Sequence, residues 1–455
     1  MSSQTDLAGK KPFQIYGIPW YFFIIFALVV LAATYLGKLP KGMIGAFPLM
    51  IVLGAVFGLI GSYTPFVKTF LGGAAIIIIF GSAAISTNFG AADSPFCVLP
   101  AAAVKIISNF QVGEGFLDFY IASLITGSIM GMNRNLLIKA AVRYLPAIFG
   151  GVLCALGLVA LVAALIGYSE GAQGAILFIG LPIMGGGMGA GAVPLAKIFG
   201  EGIPGSSAEK ALSMMIPAVA LGNAVSIVAG GLLSRLGKGK PSLTGGGGAN
   251  AQLMRTKGAE AADDLKIDPE YDRVRNTLSL AQMGAGLFIA TTFFAFGQII
   301  NKFFPAIHGY AWMIISVALV KALGLLPQKF EICCYQWFQF VMNNFTGVLL
   351  VGIGVAYTDL KQIALAFTPQ YLVLVIVTVT GGILGAGFVG KIVGFFPIDS
   401  AITAGLCMSN MGGTGDVAVL SAADRMELMP FAQISSRIGG AFILILSSVI
   451  LQIIF

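Results

Sequence analysis

Long apolar runs, each close to the length that crosses a bilayer, succeed one another along the chain with short polar breaks between them. In the first half they fall at about 18–36, 43–61, 70–88, 116–132, 145–167 and 211–234. A polar stretch at 235–275 then intervenes. It holds Gly245, Gly246, Gly247 and Gly248, mixes acids with bases and shows no apolar periodicity, so it predicts a flexible linker. Further runs follow at about 277–300, 309–325, 336–357, 370–390 and 431–455. Two other apolar stretches, 172–200 and 395–425, are split by glycine clusters and predict re-entrant hairpins or broken helices. Backbone of that kind is tolerated at membrane depth only where it is buried in protein or lines a cavity. The expected fold class is all-α and polytopic: eleven transmembrane helices and two glycine-broken re-entrant segments. The expected divisions are a tail at 1–17, a membrane half at 18–234, the linker at 235–275 and a second half at 276–455.

Composition agrees with lipid as the main solvent. Hydrophobic residues make up 57% of the chain and charged residues 10%, against about 25% charged in soluble domains. The mean hydropathy is +0.93. The 61 glycines suit close helix packing in a membrane. The net charge of +7 does not point to nucleic acid, because the basic residues sit in short loops and form no stripe with interleaved aromatics. Five dispersed cysteines, at 97, 154, 333, 334 and 407, offer neither a metal spacing nor a disulfide framework. A single histidine, His308, leaves no material for a zinc site or a histidine triad. The first apolar run is too long for a signal peptide and has no cleavage pattern, so it is expected to be retained.

The basic residues set an orientation. Lys10 and Lys11 precede the first run, Arg134, Lys139 and Arg143 follow the fourth, and Arg235, Lys238, Lys240, Arg255 and Lys257 follow the sixth. A cytoplasmic N-terminus puts all three groups inside, as the positive-inside tendency requires, with Lys38 and Lys41 as exceptions outside. The 172–200 segment then enters from the outer face and the 395–425 segment from the cytoplasm.

Those two segments match each other. Met184-Gly185-Gly186 and Met411-Gly412-Gly413 stand 227 residues apart, half the chain. The following runs also rhyme: Gly-Gly-Leu-Leu-Ser lies within 222–237 and Gly-Gly-Ala-Phe-Ile within 436–447. Matched breaks entering from opposite faces predict an inverted repeat. In transporters so built, substrate binds near the midplane, with half-helix N-termini facing an anion and unwound carbonyls holding a cation. Glycine clusters can also serve helix packing alone. A dinucleotide reading of Gly187-x-Gly189-x-Gly191 lacks the third glycine spacing, a βαβ unit and a ribose acid.

Few ionisable residues lie within the apolar segments. Arg437 is one or two turns inside the last run, where an arginine is costly and a functional candidate by default. Its planar fork matches a carboxylate. Arg425, in the loop Asp424-Arg425-Met426-Glu427, reads as a surface charge. Asp416 follows the second glycine cluster. With Asn410, Thr414 and the backbone it could hold a sodium ion, and it could also cap a half-helix beginning at Val417. Ser435 and Ser436 are hydroxyl or carbonyl ligands in prospect. Asn343 and Asn344 read as interhelical hydrogen-bonding amides.

The stretch Leu181-Pro-Ile-Met-Gly-Gly-Gly-x-Gly-Ala-Gly-Ala-Val-Pro-Leu195 resembles one signature of the bacterial 2-hydroxycarboxylate transporter family. The stretch from Gly394 to Met408, continued by Ala432-Gln-Ile-Ser-Ser-Arg437, resembles a second. The resemblance implies secondary transport of malate, citrate or a related hydroxy acid in the bacterial inner membrane, coupled to sodium or protons or run as exchange with lactate. It also implies a homodimer and an elevator-like movement of one domain. On this resemblance the substrate meets Gly185, Gly186, Gly187, Met188, Gly189, Asn410, Gly412, Gly413, Thr414, Ser436 and Arg437. Sodium sits near Met408, Asn410, Thr414, Asp416 and Ser436. The chain departs from the family's sodium–citrate symporters in carrying Met188 where they have Asn and Met411 where they have Arg. Losing a charge-assisted bond worth roughly 1.5–3 kcal/mol favours a dicarboxylate over a tricarboxylate. Two readings from other classes stay open at this point: a sodium-pumping membrane decarboxylase subunit, and an anion channel.

Overall fold

A helix forms over each of the eleven apolar runs, because in lipid only a helix satisfies its own backbone hydrogen bonds. The computed structural model describes residues 13–64, 74–86, 98–131, 134–246, 253–255, 277, 279–305, 308–358, 360–361, 364 and 368–454, with backbone alone at 76, 135–143, 190, 413–414, 427 and 430. The helices are α1 (Trp20–Tyr35), α2 (Met43–Tyr63), α3 (Ala74–Ile85), α4 (Ala101–Ser108), α5 (Phe116–Met130), α6 (Arg134–Leu165), α7 (Gly171–Ile183), α8 (Val193–Gly202), α9 (Ala208–Gly237), α10 (Leu280–Phe303), α11 (Gly309–Leu323), α12 (Gln328–Tyr357), α13 (Pro369–Ile392), α14 (Pro397–Ser400), α15 (Gly413–Ala423) and α16 (Phe431–Ile454). A two-residue antiparallel ladder, Gln14–Ile15 with Ile18–Pro19, precedes α1.

Among the described residues, seven helices are long and apolar enough to cross a membrane: α2, the Tyr144–Leu165 part of α6, α9, α10, α12, α13 and α16. The runs expected at 18–36, 116–132 and 309–325 form apolar helices shorter than 18 residues. Of the 70–88 run, the described helix is α3. Two boundaries move outward. Helix α6 starts at Arg134, so the basic group after the fourth run is helical, and α12 starts at Gln328. Helix α4 and the wide turn Asn109–Gly113 lie outside the apolar runs.

The helices pack as two groups. In one, α6 lies along α13, α9 along α15, and the broken segments and α16 fill the space between. In the other, α12 is central and touches α2, α3, α5 and α10, while α10 also carries α11. The groups meet where α9 touches α12 and α11 touches α16. Small residues allow the α6–α13 approach: a Cβ at Gly381 would lie 2.6 Å from Ala155 Cα. Helix α9 is mostly buried and α10 has few buried residues, so α9 is internal and α10 offers an outward face with Phe288 and Phe296.

Three expectations are corrected. The polar stretch after 234 is not simply a flexible linker, because its described parts are docked. Helix α9 runs to Gly237, the Ile398 N–H donates to Leu243 O (3.0 Å), and Met254 bridges Phe395. The buried Leu253 accepts from the Phe396 N–H at 2.9 Å. Residues 247–252 and 256–276 lie outside the described residues. Second, Arg425 is not a surface charge. It is buried, and its Nε donates to the fully buried Asp399 at 2.8 Å. Asp399 also accepts from the Gly245 N–H (2.6 Å), and Thr244 Oγ1 accepts from Arg425 Nη2 (2.9 Å). The charge is tolerated inside because it is paired and its remaining donors reach the carbonyls of Ala423 and Asp424. Third, Asn344 donates to Phe340 O of its own helix (2.8 Å) instead of bridging to another.

Candidate functional site

Both glycine-rich segments break in the middle of the packed group. The first is α7, a turn over Met184–Gly187, a wide turn Met188–Ala192 and α8. The second is α14, the wide turn Ala401–Leu406, a break over 407–412 and α15. Gly186 (φ +75°), Gly187 (φ +114°) and Gly412 (φ +77°) adopt the left-handed region that glycine enters without steric cost.

The two breaks touch through main chain. A Cβ at Gly187 would lie 2.6 Å from the Met411 carbonyl, and one at Gly412 would lie 3.0 Å from Gly186 O. A Cβ at Gly186 would collide with the carbonyl of Ser436 on α16, and one at Gly440 would lie 2.7 Å from Gly185 O. Three stretches, 185–187, 411–412 and 436–440, therefore meet at distances that exclude side chains. A wide turn, Ser435–Gly439, interrupts α16 at this point and carries Arg437. Such interruptions free backbone groups and recur at functional sites.

Oxygen-bearing side chains gather on one side of the junction. The fully buried Asp416 accepts from Asn410 Nδ2 (2.9 Å) through Oδ1 and from Ser436 Oγ (2.9 Å) through Oδ2. Helix α15 starts at Gly413, so Asp416 lies in its first turn and its carboxylate bonds side chains; a cap at Val417 is not formed. Asn410 Oδ1 accepts from the Gly412 N–H at 2.7 Å. Asn223 Oδ1 on α9 accepts from the Met411 N–H at 3.1 Å. The Gly412 N–H, one of the groups expected near substrate, is thus taken up by Asn410. The carboxylate, amide and hydroxyl oxygens are hard donors of the kind a metal cation takes, and Met408 is buried and packed on Gly439. The side chain of Thr414 lies outside the described residues.

The other side faces the second helix group. Arg437 is half-buried, with Cζ 5.7 Å from the centroid of the Phe338 ring on α12. Gly189 stands next to Tyr120 on α5, whose hydroxyl shares a hydrogen bond with Thr346 Oγ1 (2.8 Å). Met188 is buried and Met411 half-buried at the junction. The first N–H groups of the 188–192 turn have no preceding carbonyl of their own turn to donate to.

The profile of the 2-hydroxycarboxylate transporter family matches residues 15–449. The chain belongs to that family. The malate transporter MleP of Lactococcus lactis subsp. lactis (strain IL1403) is 37% identical over 97% of this chain and 98% of its own. The citrate transporter CitP of Lactococcus lactis subsp. lactis is 37% identical over 98% and 96%. The Na(+)-malate symporter of Bacillus subtilis (strain 168) is 36% identical over 99% and 96%. As a 2-hydroxycarboxylate transporter the protein is a multi-pass membrane carrier and not an enzyme, which removes the decarboxylase-subunit reading.

In the sequence of this transporter, the only signal of Asn223 is that it is a single amide within an apolar run. A polar cluster that no sequence spacing marks joins the two helix groups. Lys197 on α8 and the hydroxyl of Tyr310 on α11 both bond Asp118 on α5. His308 Nε2 lies 3.0 Å from Glu201 Oε2. A cavity of about 290 Å³ borders these residues, with Gln298 and Asn301 in its wall.

Proposed function

We propose that the protein is a sodium-coupled symporter of malate that also accepts citrate, in a bacterial cytoplasmic membrane. One observation supports this reading: at the junction of the two breaks, the oxygen set around Asp416 and the first glycine cluster are both touched by Ser436. Ser436 bonds Asp416 within the oxygen set through its hydroxyl and packs its carbonyl on Gly186 of the first glycine cluster, and Arg437 is the next residue along the chain. A hydroxy acid bound at Arg437 and the N–H groups of 186–189 brings negative charge next to a site that holds a cation, so each ion favours the other. The printed name of the Bacillus subtilis relative supports sodium and malate. Met188 and Met411 support malate over citrate, since neither supplies a charge or donor for a third carboxylate.

Alternating access follows as a rigid movement of the group holding both breaks against the group built on α12, in elevator fashion. Eleven spans, two re-entrant segments and a homodimer complete the proposal. The test is uptake of radiolabelled L-malate into proteoliposomes with and without an inward sodium gradient. Sodium-dependent accumulation, weakly competed by citrate, agrees with the proposal. Sodium-independent uptake accelerated by internal lactate overturns symport in favour of exchange, and uptake driven by a proton gradient alone overturns sodium. Flux that follows its own gradient without coupling to any ion makes it a channel.

A further inference from the structure

We propose that Asn223 is a positioning residue for substrate binding, fixing the second glycine break in the shape that faces the first. The inference rests on the proposed reading of the junction as the substrate site. Asn223 belongs to α9 and is fully buried. It does not belong to the set expected to touch substrate; it acts through the backbone of Met411.

Two successive N–H groups of the break are held by amide oxygens from different elements. The Met411 N–H donates to Asn223 Oδ1 (3.1 Å), and the Gly412 N–H donates to Asn410 Oδ1 (2.7 Å). A backbone N–H only donates, so both amides must turn their oxygens toward the break. A Cβ at Gly415 would lie 2.8 Å from each of these oxygens, so the bracket leaves no room for a side chain there. One turn further along α9, Ser226 Oγ donates to Ser409 O (3.3 Å). Helix α9 thus grips the break on both sides of Asn410.

The grip reaches the other segment directly. The Met411 carbonyl, on the residue whose N–H Asn223 holds, is the group that packs on Gly187. Shifting Met411 changes the gap between the two breaks, and with it the spacing of the 186–189 donors from Arg437. A buried residue that only filled space would set how much protein folds, and not how tightly folded protein binds substrate.

The test uses L-malate uptake by the full chain in proteoliposomes, with KM and Vmax measured separately. Asn223→Leu keeps the shape and removes the acceptor; its KM is expected to rise about tenfold, the size of one lost hydrogen bond, with Vmax per folded protein nearly unchanged. Asn223→Asp keeps an acceptor oxygen and is expected to lie closer to wild type than Leu. Gly415→Ala, which presses on both amide oxygens, is expected to raise KM as well and serves if the Leu variant does not fold. An unchanged KM in Leu and Gly415→Ala, or an Asp variant as impaired as Leu, overturns the inference. Arg437→Lys is the control: if its KM also stays unchanged, the reading of the junction itself has failed. If only Arg437 matters, that reading stands and the role of Asn223 falls.

Discussion

The hydroxyl of Ser436 donates to Asp416 Oδ2 over 2.9 Å, tying the helix that carries Arg437 to the first turn after the second glycine break. The bond joins the residue pair expected to hold anion and cation, so each variant around it has a separable effect on one of the two ions.

Replacing Asp416 by Asn keeps the size and removes the charge. The sodium concentration for half-maximal malate uptake is expected to rise tenfold or more, about the strength of one charge-assisted contact. Uptake measured against sodium at fixed malate checks it. A variant with wild-type sodium dependence would remove Asp416 from the cation site.

Arg437→Lys retains charge and loses the planar fork. The KM for malate is expected to rise roughly ten- to a hundredfold, with the sodium requirement retained. Initial rates across a malate series decide the matter.

At Gly186 and Gly187 an alanine would press on the carbonyls of Ser436 and Met411, and both positions have positive φ. Gly186→Ala and Gly187→Ala are expected to abolish malate uptake, because backbone on both sides cannot yield cheaply. Gly157→Ala, facing open space on α6, is expected to transport like wild type. Equal effects at all three positions would count against a main-chain junction.

Breaking the Asp399–Arg425 pair leaves an uncompensated buried charge. Asp399→Asn or Arg425→Met is expected to destabilise the protein by about 3–5 kcal/mol, and the double variant by less than either. Thermal unfolding of the purified protein in detergent reads this directly. Additive losses would show that the pair is uncoupled.

The Lys197–Asp118 contact joins the helix group with the glycine breaks to the group built on α12. If these groups move against one another, Lys197→Ala is expected to change the turnover rate about two- to fivefold, as for one partly exposed ion pair of up to about 1 kcal/mol. Its KM should stay put. A change in KM with constant Vmax would contradict this.

Much of the fold is legible in hydropathy alone, because a segment surrounded by lipid has one way to satisfy its backbone. The paired breaks are legible because glycine has few other reasons to cluster twice at half-chain spacing. What escapes is whatever a tertiary partner decides. Arg425 stands in a run of charges and reads as solvated, yet Asp399, 26 residues earlier, and Thr244, 181 residues earlier, draw it inside. The N–H of Gly412 looks free for an anion in the sequence, and only the turn back of Asn410 shows that it is taken. Lys197, Asp118 and Tyr310 come from three helices, and no spacing announces their meeting.

The contact between Gly187 and the Met411 carbonyl joins residues from opposite halves of the chain. On the proposed reading, neither half therefore encloses the substrate site by itself. If the halves arose by duplication, the single-length ancestor could have had such a site only as a pair of copies inserted in opposite orientations. Fusion into one chain would then free each copy to vary separately: the first half carries Met188, and the second Asp416 and Arg437. Expressing the halves as two separate chains, in one cell, would recreate that earlier arrangement.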